Sequence, residues 1–332
     1  MITAKLYTHK REWRAVSGPP SDMTAMHIPK SIGAAIPPWL RLWVLPVLTV
    51  MLISADLLWV GMDSLTMTVI ATIAIVLAGI PHGTLDVEIA AAHFGQNNFT
   101  GKAKITISYI ACALAMIGLW ALLPEFALIT FLIIAIVHFS RDWRGGVDPF
   151  LAMMVGWALV ALPALSHPQE VAMIFETLTG NQNGVTIAAL LACASVPAAL
   201  GSLVFAYWAY THNDIKSAVE VMSCIIAALF LPPLIAFAMF FCGLHSPRHM
   251  ADALRETGTI SATQKAIIIA AVFALSLGLG ILLYTSYAVA HIDTGIIRSA
   301  FVLISTLTVP HFILEHLMSE RRSVKAWTSE QI

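Results

Sequence analysis

The sequence predicts an all-α, polytopic transmembrane helical bundle of about ten spans (nine to ten), and three observations carry that reading. Only 11% of its 332 residues are charged while 58% are hydrophobic, and the mean hydropathy is +0.82. A soluble domain carries about a quarter charged residues because its surface must face water. Apolar runs such as Ala266–Tyr284 and Ile187–Trp208 match the length needed to cross a hydrocarbon core of roughly 30 Å. These runs do not alternate apolar and polar residues as barrel strands do, so backbone groups in lipid are satisfied within helices.

Taken in order, residues 1–39 form a polar, basic segment without the apolar stretch of a signal peptide, and read as a cytoplasmic tail. Hydropathy then places spans near 40–62, 66–92, 105–122, 125–141, 148–165, 184–209, 217–231, 232–252, 265–288 and 297–317. Residues 40–317 thus make one transmembrane catalytic domain, and 318–332 a second cytoplasmic tail. The division at Pro232-Pro233 is either a tight turn or a kink; a kink would leave nine spans and invert the later ones.

Charge arbitrates, because Lys and Arg favour cytoplasmic loops. Lys5, Lys10, Arg11, Arg14 and Lys30 lie in the tail, Lys102 and Lys104 after span two, and Arg141 and Arg144 after span four. Arg248, Arg255 and Lys265 follow span eight, and Arg321, Arg322 and Lys325 end the chain. The loop after span five carries Glu170 and Glu176 and no Lys or Arg, leaving Arg298 as the exception. This pattern fits ten spans with both termini in the cytoplasm. A net charge of −1 offers no basic surface for nucleic acid, and the four cysteines (Cys112, Cys193, Cys224, Cys242) stand singly in apolar segments without a zinc spacing.

Ionisable side chains at membrane depth are costly and therefore mark function. They gather in four segments: Gly79-Ile-Pro-His82-Gly-Thr-Leu-Asp86, Ile136-Val-His138-Phe-Ser-Arg-Asp142, Gly243-Leu-His245-Ser-Pro-Arg-His249 and Thr308-Val-Pro-His311-Phe-Ile-Leu-Glu315-His316. On ten spans these fall on helices two, four, eight and ten, which run in the same direction with the histidines in their inner halves. They share one leaflet and one depth, so a common site is expected. Each leading histidine has a polar partner four residues on, a spacing that shares one helix face. His245 and His249 can chelate one ion, while Asp86, Asp142 and Glu315 are candidates to accept the spare ring N–H of a ligating histidine. Taken singly, each buried histidine is as readily a helix-to-helix hydrogen bond. Arg248 reads as snorkelling to headgroups, and His93 and His316 as helix-end residues. Imidazole ligands suit iron, copper, zinc or nickel, so ligand type leaves the metal open. The outer halves of the spans lack the polar relay of a metal carrier. A single site within apolar walls fits catalysis on a lipophilic substrate arriving from the bilayer.

The run Pro81-His82-Gly83-x-x-Asp86, then His138-Phe139, then Phe240-Phe241-x-x-His245-Ser246-x-Arg248-His249, then Thr308-Val309-Pro310-His311 resembles the Brp/Blh family of bacterial β-carotene 15,15'-dioxygenases in motif order and spacing. The resemblance implies a membrane enzyme that uses non-haem Fe(II) and O2 to split the central double bond of β-carotene into two retinals. It implies His82, His138, His245 and His249 as iron ligands, with His311 lining the site or competing as a ligand. Val87 stands where a second histidine often follows the aspartate, and Leu244 where a tryptophan often precedes the His-Ser pair. Both departures bear on the pocket and leave the carotenoid's identity open. A rhodopsin accepting the retinal is a candidate partner. The competing classes are a desaturase- or hydroxylase-type membrane metalloenzyme, disfavoured by the absence of an HxxHH box, and a non-enzymatic metal- or pigment-binding protein.

Overall fold

The computed structural model describes residues 38–58, 64–144, 147–286 and 292–329. The expected tail at 1–39 lies almost entirely outside these residues, as do the ends of the first and ninth spans. Regular structure among the described residues is helical throughout. The α-helices are α1 (Pro38–Leu58), α2 (Ser64–His82), α3 (Asp86–Phe94), α4 (Phe99–Leu122), α5 (Pro124–Ser140), α6 (Pro149–Ser166) and α7 (Pro168–Thr179). They continue as α8 (Asn183–Thr211), α9 (Ile215–Phe230), α10 (Pro233–Phe240), α11 (Ser246–Glu256), α12 (Ala262–Ser286) and α13 (Ile292–Ser329). Among the described residues, seven helical stretches are long and apolar enough to cross a bilayer: Thr66–Phe94, Phe99–Leu122, Pro124–Trp143, Pro149–Ser166, Asn183–Thr211, Ala262–Ser286 and Thr294–Arg321. Together with α1, α9 and the α10–α11 pair they are compatible with about ten spans.

Local chemistry sets the helix ends. The side chains of Asn98, Asp148 and Asp214 accept hydrogen bonds from the amides of Gly101, Phe150 and Ser217, satisfying donors that an N-terminus leaves open. Pro124, Pro149, Pro168 and Pro233 open their helices, where a missing N–H costs nothing. At Pro232-Pro233, Leu231 and Pro232 are extended, with ψ of 150° and 142°. Two separate helices therefore meet there, not one kinked helix, because a proline disfavours helical geometry in the residue before it.

One element escaped the hydropathy reading. The stretch after span five, expected as a loop, is the short helix α7, which buries Val171, Phe175, Leu178 and Thr179 on one face. Gly180 ends it with φ of +75°, a conformation glycine adopts without strain. The Arg298 guanidinium lies beside this turn, its Nη1 3.6 Å from where a Gly180 Cβ would sit. A cation at a helix C-terminus meets the negative end of the helix dipole, which accounts for the arginine that departs from the charge pattern.

Inside the bundle, small residues and buried polar pairs bring helices together. A Cβ on Gly156 of α6 would overlap the Ile136 carbonyl of α5, so glycine is what allows these helices to touch. Trp120 of α4 donates from Nε1 to Ser305 Oγ of α13 at 2.7 Å, so the buried indole is fully satisfied.

Candidate metal centre

Three of the four polar segments sit where a helix breaks. After His82 the chain turns through Gly83–Leu85, with the Thr84 amide and hydroxyl both donating to Pro81 O, before α3 starts at Asp86. After Ser140, α5 tightens into a 3-10 turn over Arg141–Trp143. Between α10 and α11, residues Phe241–His245 form a π-turn. Pro247 follows it in the first turn of α11, so the wider turn absorbs the hydrogen bond that the proline cannot make. Only α13 runs on through His311, with Pro310 inside it.

These breaks help gather five imidazoles into one cluster, built as two triads that share His138. The rings of His245 and His249 are 4.3 Å apart between centroids, His138 and His245 4.8 Å, and His82 and His311 5.1 Å. His138 lies 5.1 Å from His311 and 5.2 Å from His249. One ring nitrogen from each of His82, His138 and His311 lies within 4.8 Å of the other two, and the same holds for His138, His245 and His249. His138 and His245 are fully buried, and His249 is the most exposed of the five, its side chain 18% accessible.

The carboxylates join this cluster in an order the spacing does not suggest. Asp86 accepts from Nδ1 of His311 at 2.8 Å, Glu315 from Nδ1 of His138 at 3.2 Å, and Asp142 from Nδ1 of His245 at 2.8 Å. Asp142 also approaches His249 Nε2 at 3.8 Å. Each acid therefore serves a histidine of another segment, so the expected histidine–carboxylate pairs four residues apart are exchanged, whereas His245 and His249 do lie together. Breaks after His82 and Ser140 remove the continuous helical face on which those pairs depend.

This arrangement tests whether the donor set suits a metal. With carboxylates accepting at both Nδ1 atoms, His138 and His245 carry their hydrogens there and present bare Nε2 atoms to the centre. Those two Nε2 atoms face each other at 3.1 Å. Two lone pairs at that distance repel unless a proton or a metal ion lies between them, and two nitrogens bound at right angles about 2.1 Å from one ion are roughly 3 Å apart. His82 Nδ1 and His311 Nε2 are buried without a hydrogen-bond partner, which a ligand would also cure. The residues fit a divalent transition ion.

Further polar residues brace the cluster, two of which, Tyr109 and Glu220, lie outside the motif segments. Tyr109 of α4 places its hydroxyl 3.3 Å from Asp86 Oδ2 and 3.2 Å from Leu307 O. Arg248 does not snorkel: it pairs with Glu220 of α9 at 2.5 Å and reaches Asp142 O at 3.5 Å. Glu220, an acid inside an apolar stretch, was visible in the sequence by the same rule that flagged the histidines. Arg141 pairs with Glu315 at 2.7 Å and lies 4.7 Å from the centre of the Phe312 ring. His93 and His316 are outside the cluster, and His316 contacts Glu320 and Arg141 instead.

Aromatic rings enclose the imidazoles. Phe241 stacks on His245 with centroids 5.4 Å apart, Phe139 meets the same ring edge-on at 5.0 Å, and Trp143 stacks on Phe240. Such walls exclude water and suit an apolar ligand.

Residues 73–319 match the model of the beta-carotene 15,15'-dioxygenase family. The chain belongs to that family. A curated relative, the beta-carotene 15,15'-dioxygenase of uncultured marine bacterium 66A03, is 29% identical over 252 residues, covering 72% of this chain and 90% of the relative. No solved structure matches. The protein is accordingly a multi-pass membrane dioxygenase of the carotenoid-cleaving class, and the matched region contains all five histidines and the three carboxylates.

Proposed function

We propose that this enzyme splits the 15,15' double bond of β-carotene with O2 to give two molecules of retinal, using one iron(II) ion held by His82, His138, His245 and His249. The reaction balances without a further reductant: the central carbon–carbon bond breaks and each carbon takes one oxygen atom. The observation that best supports a metal is the pair of facing Nε2 atoms of His138 and His245. The relative's name supports the substrate and cleavage position.

Iron would supply the activation of O2 at open coordination positions. The chain's own residues do the rest. Asp142 and Glu315 hold His245 and His138 in the tautomer that leaves Nε2 free. Phe139, Phe240 and Phe241 offer an apolar surface against which a polyene lies, so position decides which double bond reacts. The same rings keep water from the reacting carbons. The Lys and Arg pattern supports a bacterial inner-membrane location with residues 1–39 and 318–332 on the cytoplasmic side. A rhodopsin is a fitting acceptor for the product.

Expression in β-carotene-producing cells tests this reading. The expected result is loss of colour with retinal as the product. A longer apocarotenal would overturn the cleavage position, and retained pigment bound to purified protein would favour a carrier.

A further inference from the structure

We infer that His311 is a fifth imidazole donor to the metal, positioned by a relay from Tyr109 through Asp86. The inference rests on the metal reading above and goes beyond the four-histidine set that the resemblance implies. The plain alternative is that His311 is only a clamp between α13 and α3, since its Nδ1 donates to Asp86.

Three observations separate the two. A clamp uses one ring nitrogen, and the other, Nε2, is buried without any hydrogen-bond partner. Leaving a buried polar atom unsatisfied is costly, so an orphan of this kind calls for a ligand. His311 also contributes a ring nitrogen to the group formed with His82 and His138, all within 4.8 Å. Its orientation is fixed from outside that group. Asp86 is 6% exposed and accepts from His311 at Oδ2, the same oxygen that Tyr109 approaches at 3.3 Å. The Tyr109 hydroxyl is also 3.2 Å from the carbonyl of Leu307, one turn before His311 on α13. A single hydroxyl thus contacts both the acid and the helix that set this ring. Gly83 leaves them room, since a Cβ there would lie 3.2 Å from Asp86 Oδ2 and 3.7 Å from both His311 Nδ1 and Tyr109 Oη. Carboxylate–histidine–metal relays of this type hold ligating imidazoles elsewhere.

The test is anaerobic cobalt(II) titration of detergent-purified full-length protein, following affinity and the visible ligand-field bands, whose intensity reports coordination number. His311→Asn is the discriminating variant, because its amide N–H can still donate to Asp86 while nothing replaces Nε2. The parent is expected to bind one cobalt with weak, five- or six-coordinate bands. His311→Asn is expected to bind at least tenfold more weakly with more intense bands, as one nitrogen is lost. Tyr109→Phe is expected to weaken binding several-fold with the band pattern kept. Should His311→Asn match the parent in affinity and spectrum, His311 is a clamp and the inference fails while the metal reading stands. Should the parent itself bind no cobalt, the metal reading fails first and the inference with it. Circular dichroism and gel filtration identify variants that do not fold, and Tyr109→Phe, which removes only one oxygen, then carries the decision: unchanged cobalt affinity would refute the relay.

Discussion

Asp142→Asn separates a ring-orienting acid from an acid that merely ends a helix. Asp142 Oδ2 accepts from His245 Nδ1 at 2.8 Å, Oδ1 lies 3.8 Å from His249 Nε2, and the side chain is 3% accessible. Asparagine keeps the size and one accepting oxygen but removes the charge. Hydrogen bonds to charged groups contribute about 1.5–3 kcal/mol, against about 0.5–1.5 kcal/mol for neutral ones. The difference, about 1–2 kcal/mol, weakens metal affinity roughly 5- to 30-fold from the His245 contact alone. Because His249 faces the same carboxylate, the expected loss lies toward the upper end of the 10- to 100-fold seen when such partners of ligating histidines are replaced. Competition against a chelator of known affinity measures this on purified protein, and retinal formation at saturating iron should largely recover. A variant that binds metal within twofold of the parent would refute the idea that Asp142 orients His245.

His245→Ala should abolish retinal formation while membrane-inserted protein is still recovered, checked by product chromatography and immunoblot of washed membranes. Glu220→Ala removes the carboxylate partner of the partly exposed Arg248 guanidinium, so the unfolding midpoint in detergent should fall, by less than the roughly 3–5 kcal/mol of a fully buried pair; replacing both residues with apolar ones should recover part of it. Gly156→Val should push α5 from α6 and reduce both folded yield and metal content, read by gel filtration and elemental analysis. Chelation should abolish activity and lower the thermal midpoint, since metal at a hundredfold its dissociation constant stabilises the fold by about 2.7 kcal/mol.

Much of this fold was legible because lipid imposes strict rules on sequence. Composition and run length gave the helical bundle, and the cost of ionisable groups at depth singled out His82, His138, His245, His249 and His311, all of which converge. The partners were not legible. The four-residue spacing of His82 with Asp86 and of His138 with Asp142 assumes unbroken helices, yet the chain turns at Gly83–Leu85 and tightens at Arg141–Trp143. A turn or π-bulge of a few residues leaves little trace in hydropathy but rotates every side chain after it. Tyr109 was hidden for a different reason: a lone tyrosine in an apolar span reads as packing until its hydroxyl is seen beside Asp86. Helix α7 was hidden because twelve residues are too few to cross a bilayer, although Pro168 and Gly180 mark its ends.

The exchange of carboxylates between segments has a mechanical consequence. Lipid tails are as apolar as the helix surfaces, so burial of apolar area gives little force to hold one helix against another, and cross-helix polar contacts act as part of the glue. Had each acid served the histidine on its own segment, the metal centre would be a set of self-contained ligands held together by the ion alone. Instead Asp86 at the start of α3 holds His311 on α13, Glu315 on α13 holds His138 on α5, and Asp142 after α5 holds His245 at the α10–α11 junction. The contacts form a chain from α3 through α13 and α5 to α11. That chain orients the imidazoles from outside the centre, while the facing Nε2 atoms of His138 and His245 and the unpartnered His82 Nδ1 and His311 Nε2 remain as ring nitrogens that could hold a metal. The polar network therefore gives the bundle its register, and the same register gathers the imidazoles into a donor set that suits a metal.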